Sequence, residues 1–297
     1  MQAIAAWLVA RPQNAVLGLA ASFFLPFSQI FSGAVMTLVT LNGGLRMALL
    51  TGAIAGGVLV TVDLITQVPA ADTAMNAVTM WLPVALLAAV VRTTRSLTLA
   101  LQFSVILALV GTLAFHVAVG DPEAFWLTVL AQVASVFSDA GLQEQADLLD
   151  AQRELIAPQM TALSVIAVWS LMATVLAVGY WIYQFLPGRK AAYGRFCDLN
   201  FGRVLATAMA VGSLAALVVD SAWIENFAFV AFVIFWLQGL AIMHWLHVNG
   251  PLPILALVVI YVMLPVLNAL LLMGLAVLGY TDAWFDFRSR AGNKEAR

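Results

Sequence analysis

Long apolar stretches, interrupted at short intervals by Gly, Pro and small charged clusters, set the pattern of this chain. The runs are roughly 14–26, 28–41, 45–66, 74–91, 96–119, 159–186, 202–219, 227–247 and 252–280. A helix needs about 20 mainly apolar residues to cross the hydrocarbon of a bilayer, at 1.5 Å per residue, and several runs reach that length. Helices also satisfy their own backbone hydrogen bonds, which open strand edges in lipid do not. The pattern therefore predicts an all-α fold: a polytopic transmembrane helix bundle of about eight or nine spans. The first two runs are short and meet near Pro26, which fits one kinked span or two abbreviated helices with a re-entrant bend. The last run carries Pro265 and is expected to cross in full, because a nearly unbroken apolar stretch is more stable spanning than folded back.

Three regions follow from this pattern. Residues 1–119 are expected to form an N-terminal transmembrane bundle, 120–157 an acidic extracytoplasmic helical loop, and 158–297 the C-terminal transmembrane helices with an amphipathic tail. Within the loop, Leu142, Leu149 and Ile156 recur on one side of a helix, while Glu144, Asp147, Asp150 and Glu154 occupy the other. That spacing predicts an amphipathic helix lying on the bundle with its carboxylates in water. Arg153, three residues after Asp150, is placed for a local surface pair. Met1 to Gln13 lacks the order of charge and apolar residues of a cleavable signal, and Ile4, Trp7 and Leu8 suggest a short interfacial helix.

Composition agrees with a lipid solvent. Apolar residues make up 63% of the chain and charged residues 9%, more apolar surface than one soluble core buries. The net charge of -2 gives no reason to expect a nucleic-acid partner; the expected partners are the lipid bilayer and other membrane subunits. A single cysteine, Cys197, excludes a disulfide framework and reads as a small buried or interfacial residue. Basic residues gather in alternate connections, at Arg46, at Arg92 with Arg95, and at Arg189, Lys190, Arg195 and Arg203. The intervening connections carry Asp72, then Asp121 through Glu154, then Asp220 and Glu225. By the positive-inside rule the basic connections face the cytoplasm. Nine crossings then place the basic tail outside, against the same rule.

Polar side chains within apolar runs are the strongest functional candidates, since a charge or strong dipole in hydrocarbon costs a few kcal/mol and turns toward a bundle interior or a cavity. They are Asp63, Gln102, His116, Gln238, His244 and Asn268. Their roles divide between packing by hydrogen bonds and a substrate or proton route. Ala48, Gly52 and Gly56, at i, i+4 and i+8 with Ala53 and Gly57 beside them, form a small-residue stripe that permits close helix approach, and they read as a packing seam ahead of a substrate groove. His244 and His247 lack a third ligand or an HExxH motif, so a metal site is not expected; beside Trp245 they suit a lipid–water interface. Asp286 and Arg288, two residues apart, project to different helical sides and are not expected to pair within a helix.

No nucleophile elbow, phosphate loop or dinucleotide fingerprint occurs, so neither an enzymatic activity nor a cofactor is expected. The segment Gly239-Leu240-Ala241-Ile242-Met243-His244-Trp245-Leu246, Leu264-Pro265 in the last run, and the ending Gly279-Tyr280-Thr281-Asp282-Ala283-Trp284-Phe285-Asp286-Phe287-Arg288 together resemble the YybS-like family of bacterial integral membrane proteins. That resemblance implies a multi-pass protein of the bacterial cytoplasmic (inner) membrane, and no catalytic residues. Residues 14–119, with a short first helix ending near Pro26, a run reaching Asn42-Gly43-Gly44, and the Gly-rich helix from Arg46 to Val60, are similar to the S-components of energy-coupling-factor vitamin transporters. This second resemblance implies small-solute capture in a helix bundle that relies on separate ATPase and coupling subunits. Two functions are therefore expected: a small-solute binding or transport component without its own ATPase, or a non-catalytic scaffold for cell-envelope assembly.

Overall fold

The computed structural model describes residues 1–250, 252–264 and 268–288, the side chain of Asn268 excepted. The described residues are helical and include no β-strand. In chain order the helices are α1 (Gln2–Ala10), α2 (Pro12–Phe23), α3 (Ser28–Gly43), α4 (Leu45–Thr66), α5 (Ala70–Thr94), α6 (Leu97–Val119), α7 (Pro122–Asp139), α8 (Gln143–Ile156), α9 (Met160–Tyr183), α10 (Gly202–Val218), α11 (Ala222–Val233), α12 (Trp236–Asn249), α13 (Ile254–Met263) and α14 (Asn268–Phe285). Among the described residues, five stretches are long and apolar enough to cross a membrane: Leu45–Thr66, Ala70–Thr94, Leu97–Val119, Gln143–Tyr183 and Ala222–Asn249. Gly202–Val218, Ile254–Met263 and Ala269–Phe285 are shorter apolar helices. Many large apolar side chains point out of the fold. On α4 alone Leu50, Ile54, Val58, Leu64 and Ile65 are exposed, a density that water would penalise and lipid tails accept.

The chain forms two compact units, Met1–Ser104 with Ser170–Leu199, and Val105–Trp169 with Asn200–Arg297; it passes from one to the other within α6, within α9 and between Leu199 and Asn200.

In the first unit the runs on either side of Pro26 are two helices. A turn through Phe27, whose φ is +57°, folds α3 back on α2, and Ser32 Oγ donates to the Leu19 carbonyl at 3.3 Å. Leu8 of α1 is buried against Gly18 of α2, while Ile4 and Trp7 are exposed. The three residues grouped on one side of α1 by spacing thus divide between a packed Leu8 and an outward Ile4 and Trp7. Gly179 of α9 lies against Thr37 and the Ala34 carbonyl of α3, closer than any larger residue allows. Arg92, in the last turn of α5, donates from Nη1 to the carbonyls of Leu41 and Asn42 at 2.7 Å each. It thereby satisfies carbonyls that the end of α3 leaves without intrahelical partners. The connection after α9 is held by tyrosines: Tyr180 donates to the Gly194 carbonyl at 2.6 Å, its oxygen accepts from the Tyr193 backbone N–H at 3.0 Å, and the Tyr183 and Tyr193 rings stack 5.7 Å apart.

In the second unit α7 and α8 pack side by side, and Trp126 Nε1 donates to Thr161 Oγ1 at 2.8 Å. The carboxylates of α8 are exposed, and Arg153 pairs with Asp150 at 3.3 Å at the surface. The apolar side differs from the spacing-based expectation: Leu142 is 45% exposed, Leu149 and Ile156 are half-buried, and Ala146 makes the closest packing. A small residue lets α8 approach its neighbour where a leucine would hold it off. Asn226 of α11 is buried and fully used: Oδ1 accepts from the Ala162 N–H, and Nδ2 donates to the carbonyls of Pro158 and Ala222. The last apolar run is described as two helices, α13 and α14, on either side of residues 265–267; Pro265 lies outside the described residues. Helix α14 packs along α12 through glycines. A Cβ on Gly239 would overlap the Leu275 carbonyl, and one on Gly279 would overlap the Phe235 carbonyl.

Candidate functional site

The first unit holds an apolar groove of about 470 Å³ between α4 and α5, with Met36 of α3 among its lining residues. Its α4 wall is built from the small stripe. Gly52 and Gly56 face Trp81, which a Cβ at either position would approach to 3.6 and 3.8 Å, and a Cβ on Gly57 would meet nothing within 4 Å. The absence of side chains there leaves a trough that leucines would fill. Trp81 is 5% exposed and held from behind: Nε1 donates to Ser32 Oγ at 2.7 Å, and the ring meets Phe23 edge-on at 6.1 Å. Both contacts fix its rotamer, so the groove has a preformed aromatic base. Leu49 and Leu82 line one end and Val60 and Ala74 the other; Leu49, Val78 and Leu82 are exposed along the rim. Ala48, on the neighbouring ridge of α4, is completely buried.

Asp63 lies on α4 about 4.5 Å along the axis beyond Val60. It is 8% exposed, and its Oδ2 is buried without a hydrogen-bond partner. Buried polar atoms are nearly always paired, so an orphaned carboxylate oxygen in an apolar run is an unusual cost for the fold to carry.

The remaining polar candidates are distributed. Gln102 lies half-buried in the part of α6 that belongs to the first unit, and His116, also half-buried, in the part that belongs to the second. A His116 ring nitrogen meets the Thr112 carbonyl of its own helix at 2.9 Å. His244 Nε2 meets the Tyr261 hydroxyl at 2.8 Å, with the two rings edge to face. His247 Nδ1 lies 3.0 Å from the Leu252 carbonyl, which ties the end of α12 to the turn after it. The Asn268 side chain lies outside the described residues.

Gln238 sits at the centre of a knot in the second unit. Its Oε1 accepts from the Phe201 backbone N–H at 2.7 Å, and its Nε2 donates to Asp282 Oδ2 at 2.9 Å. Arg288 Nη2 donates to the same oxygen at 2.8 Å, and Asp282 Oδ1 accepts from the Phe287 N–H at 3.1 Å. Gln238 and Asp282 are completely buried and Arg288 is 8% exposed. Arg288 reaches Asp282 because the chain turns at Asp286, where φ is +46°, and leaves the α14 axis. Asp282, Arg288 and Asn226 were not among the sequence candidates. The available signal was one acid and one base at the end of an apolar run, together with one amide inside the 227–247 run, Gln238, and another, Asn226, immediately before it. Cys197 is buried; burial, with the Asp198 carboxylate beside it, pushes its thiol above the ordinary range, which leaves it a poor nucleophile.

These features define, over the described residues, a helical protein with several helices fit to cross a membrane, an apolar groove and a buried ionic knot. No known protein family, curated protein or solved structure matches the chain.

Proposed function

We propose that the chain is a multi-pass protein of the bacterial cytoplasmic membrane that captures a small apolar or amphiphilic solute in the α4–α5 groove, as a binding or transport component that relies on other subunits for energy. The observation that carries this reading is the groove itself. It is preformed, about 470 Å³ in volume, within the range of small-molecule sites, and based on an immobilised tryptophan. The orphaned Asp63 oxygen just past one end adds a polar group still able to accept a hydrogen bond. The likeness of residues 14–119 to S-components points to solute capture, and that of the C-terminal segment to the YybS-like family points to a multi-pass protein of the bacterial cytoplasmic membrane. In this reading the long and short apolar helices together make eight or nine crossings, with the basic connections cytoplasmic.

The test is co-purification. The chain extracted in mild detergent is expected to carry a near-stoichiometric small molecule detectable by mass spectrometry after solvent release. Trp81→Phe, which shrinks the aromatic base and removes the bond to Ser32, is expected to reduce its recovery severalfold. Equal recovery from the two proteins, or none from either, would reject solute capture in the groove.

A further inference from the structure

The groove has a charged end. On α4 the positions Arg46, Leu49, Ala53, Gly57 and Val60 follow one another at spacings of three, four, four and three, so they share one helical face. Four of these residues line the groove; the fifth, Arg46, continues the same face about 4.5 Å along the axis beyond Leu49. Arg46 is exposed and forms no ion pair among the described residues. A second cation stands at this end, because the Arg92 guanidinium lies against the Gly44 turn that opens α4. Its Nη1 is committed to α3 carbonyls, but its charge remains. The first turn of α4 adds the positive end of a helix dipole.

The dimensions fit a lipid. From Leu49 to Val60 the groove runs about 16 Å along α4, close to half of the roughly 30 Å hydrocarbon thickness of a bilayer. A trough one leaflet deep, apolar along its length and cationic at one end, matches an acyl chain that ends in an anionic headgroup.

We propose that the occupant of the groove is an anionic phospholipid taken from the bilayer, with one acyl chain against Trp81 and Gly57 and its phosphate at Arg46. This inference rests on the solute-capture reading and narrows it to a ligand class.

Native mass spectrometry of the full chain, released from micelles containing equal amounts of phosphatidylglycerol and phosphatidylcholine with identical acyl chains, tests it. The wild-type chain is expected to retain phosphatidylglycerol about fivefold over phosphatidylcholine, the preference that one basic side chain near an anionic surface supplies. Arg46→Gln is expected to lower that ratio at least twofold, Arg92 and the helix end keeping the remainder, while total bound lipid changes little. Gly57→Leu, which fills open space, and Ala53→Leu, an independent plug from the same face, are each expected to lower retention of both lipids severalfold. A wild-type chain without preference, or an Arg46→Gln chain that keeps it in full, overturns the headgroup assignment and leaves the groove standing. Undiminished retention of both lipids by the two plugged variants overturns the groove reading itself.

Discussion

Two pairs of helices in this protein are lined with small residues, and they use them in opposite ways. Between α12 and α14 the glycines are consumed by contact: Gly239 lies against the Leu275 carbonyl and Gly279 against that of Phe235, so the two backbones touch. Between α4 and α5 the glycines meet side chains or nothing. Gly52 faces the flexible end of Met36 and the Trp81 ring, and Gly57 faces open space. The same residue type thus closes one interface and opens the other. What separates them is the partner: α14 brings Ala276 and Ala283, both buried, whereas α5 brings Trp81, whose width holds the helices apart. A small-residue stripe therefore specifies close packing only when the facing helix is also small.

This contrast can be broken at three points. The largest effect is expected in the closed pair. Asp282→Ala removes the carboxylate that Arg288 and Gln238 share in the interior and should cost about 3–5 kcal/mol, as removal of one partner from a buried ion pair does. Unfolding of the purified protein in a denaturing-detergent titration measures it, and a loss below about 1 kcal/mol would mean that the knot is not a structural element. Gly279→Ala comes next. One methyl driven into the Phe235 carbonyl should cost about 1–3 kcal/mol, the usual range for overpacking, read from the same titration. The smallest effect belongs to the open pair: Gly57→Ala should leave stability unchanged or raise it by up to about 1 kcal/mol, because alanine is the better helix former and meets no obstacle. If Gly57→Ala were as damaging as Gly279→Ala, the two interfaces would be alike and the groove would be a seam.

The helices themselves were largely legible in the sequence, because the spacing of apolar runs carries them directly. The run at 45–66 is α4 to the residue, and the acidic run ending at Ile156 is α8. The limits of that reading are also physical. Whether the runs beside Pro26 make one helix or two depends on the Phe27 turn, and a left-handed phenylalanine leaves no compositional trace. Gln238 stood out as an amide in an apolar run, yet its partners lie 37 and 44 residues away, and spacing within a helix carries no information at that range. Arg288 was considered against Asp286, its neighbour on a helix, whereas the turn at Asp286 delivers it to Asp282. The stripe at Gly52 and Gly56 was visible, but the groove beside it depends on the opposing Trp81, which the stripe does not encode.

The ionic knot also sets an order of events during synthesis. Gln238 and the Phe201 amide are made well before Asp282, and Arg288 is made after all three, so the bonds to Asp282 cannot form until nearly the whole described chain has left the ribosome. Until then Gln238 of α12 has only the bond from the Phe201 amide and, briefly, Asp282 at the end of α14 lacks its cation. The arrival of one arginine ends that interval, and residues 282–288 thereby act as the clasp that completes assembly.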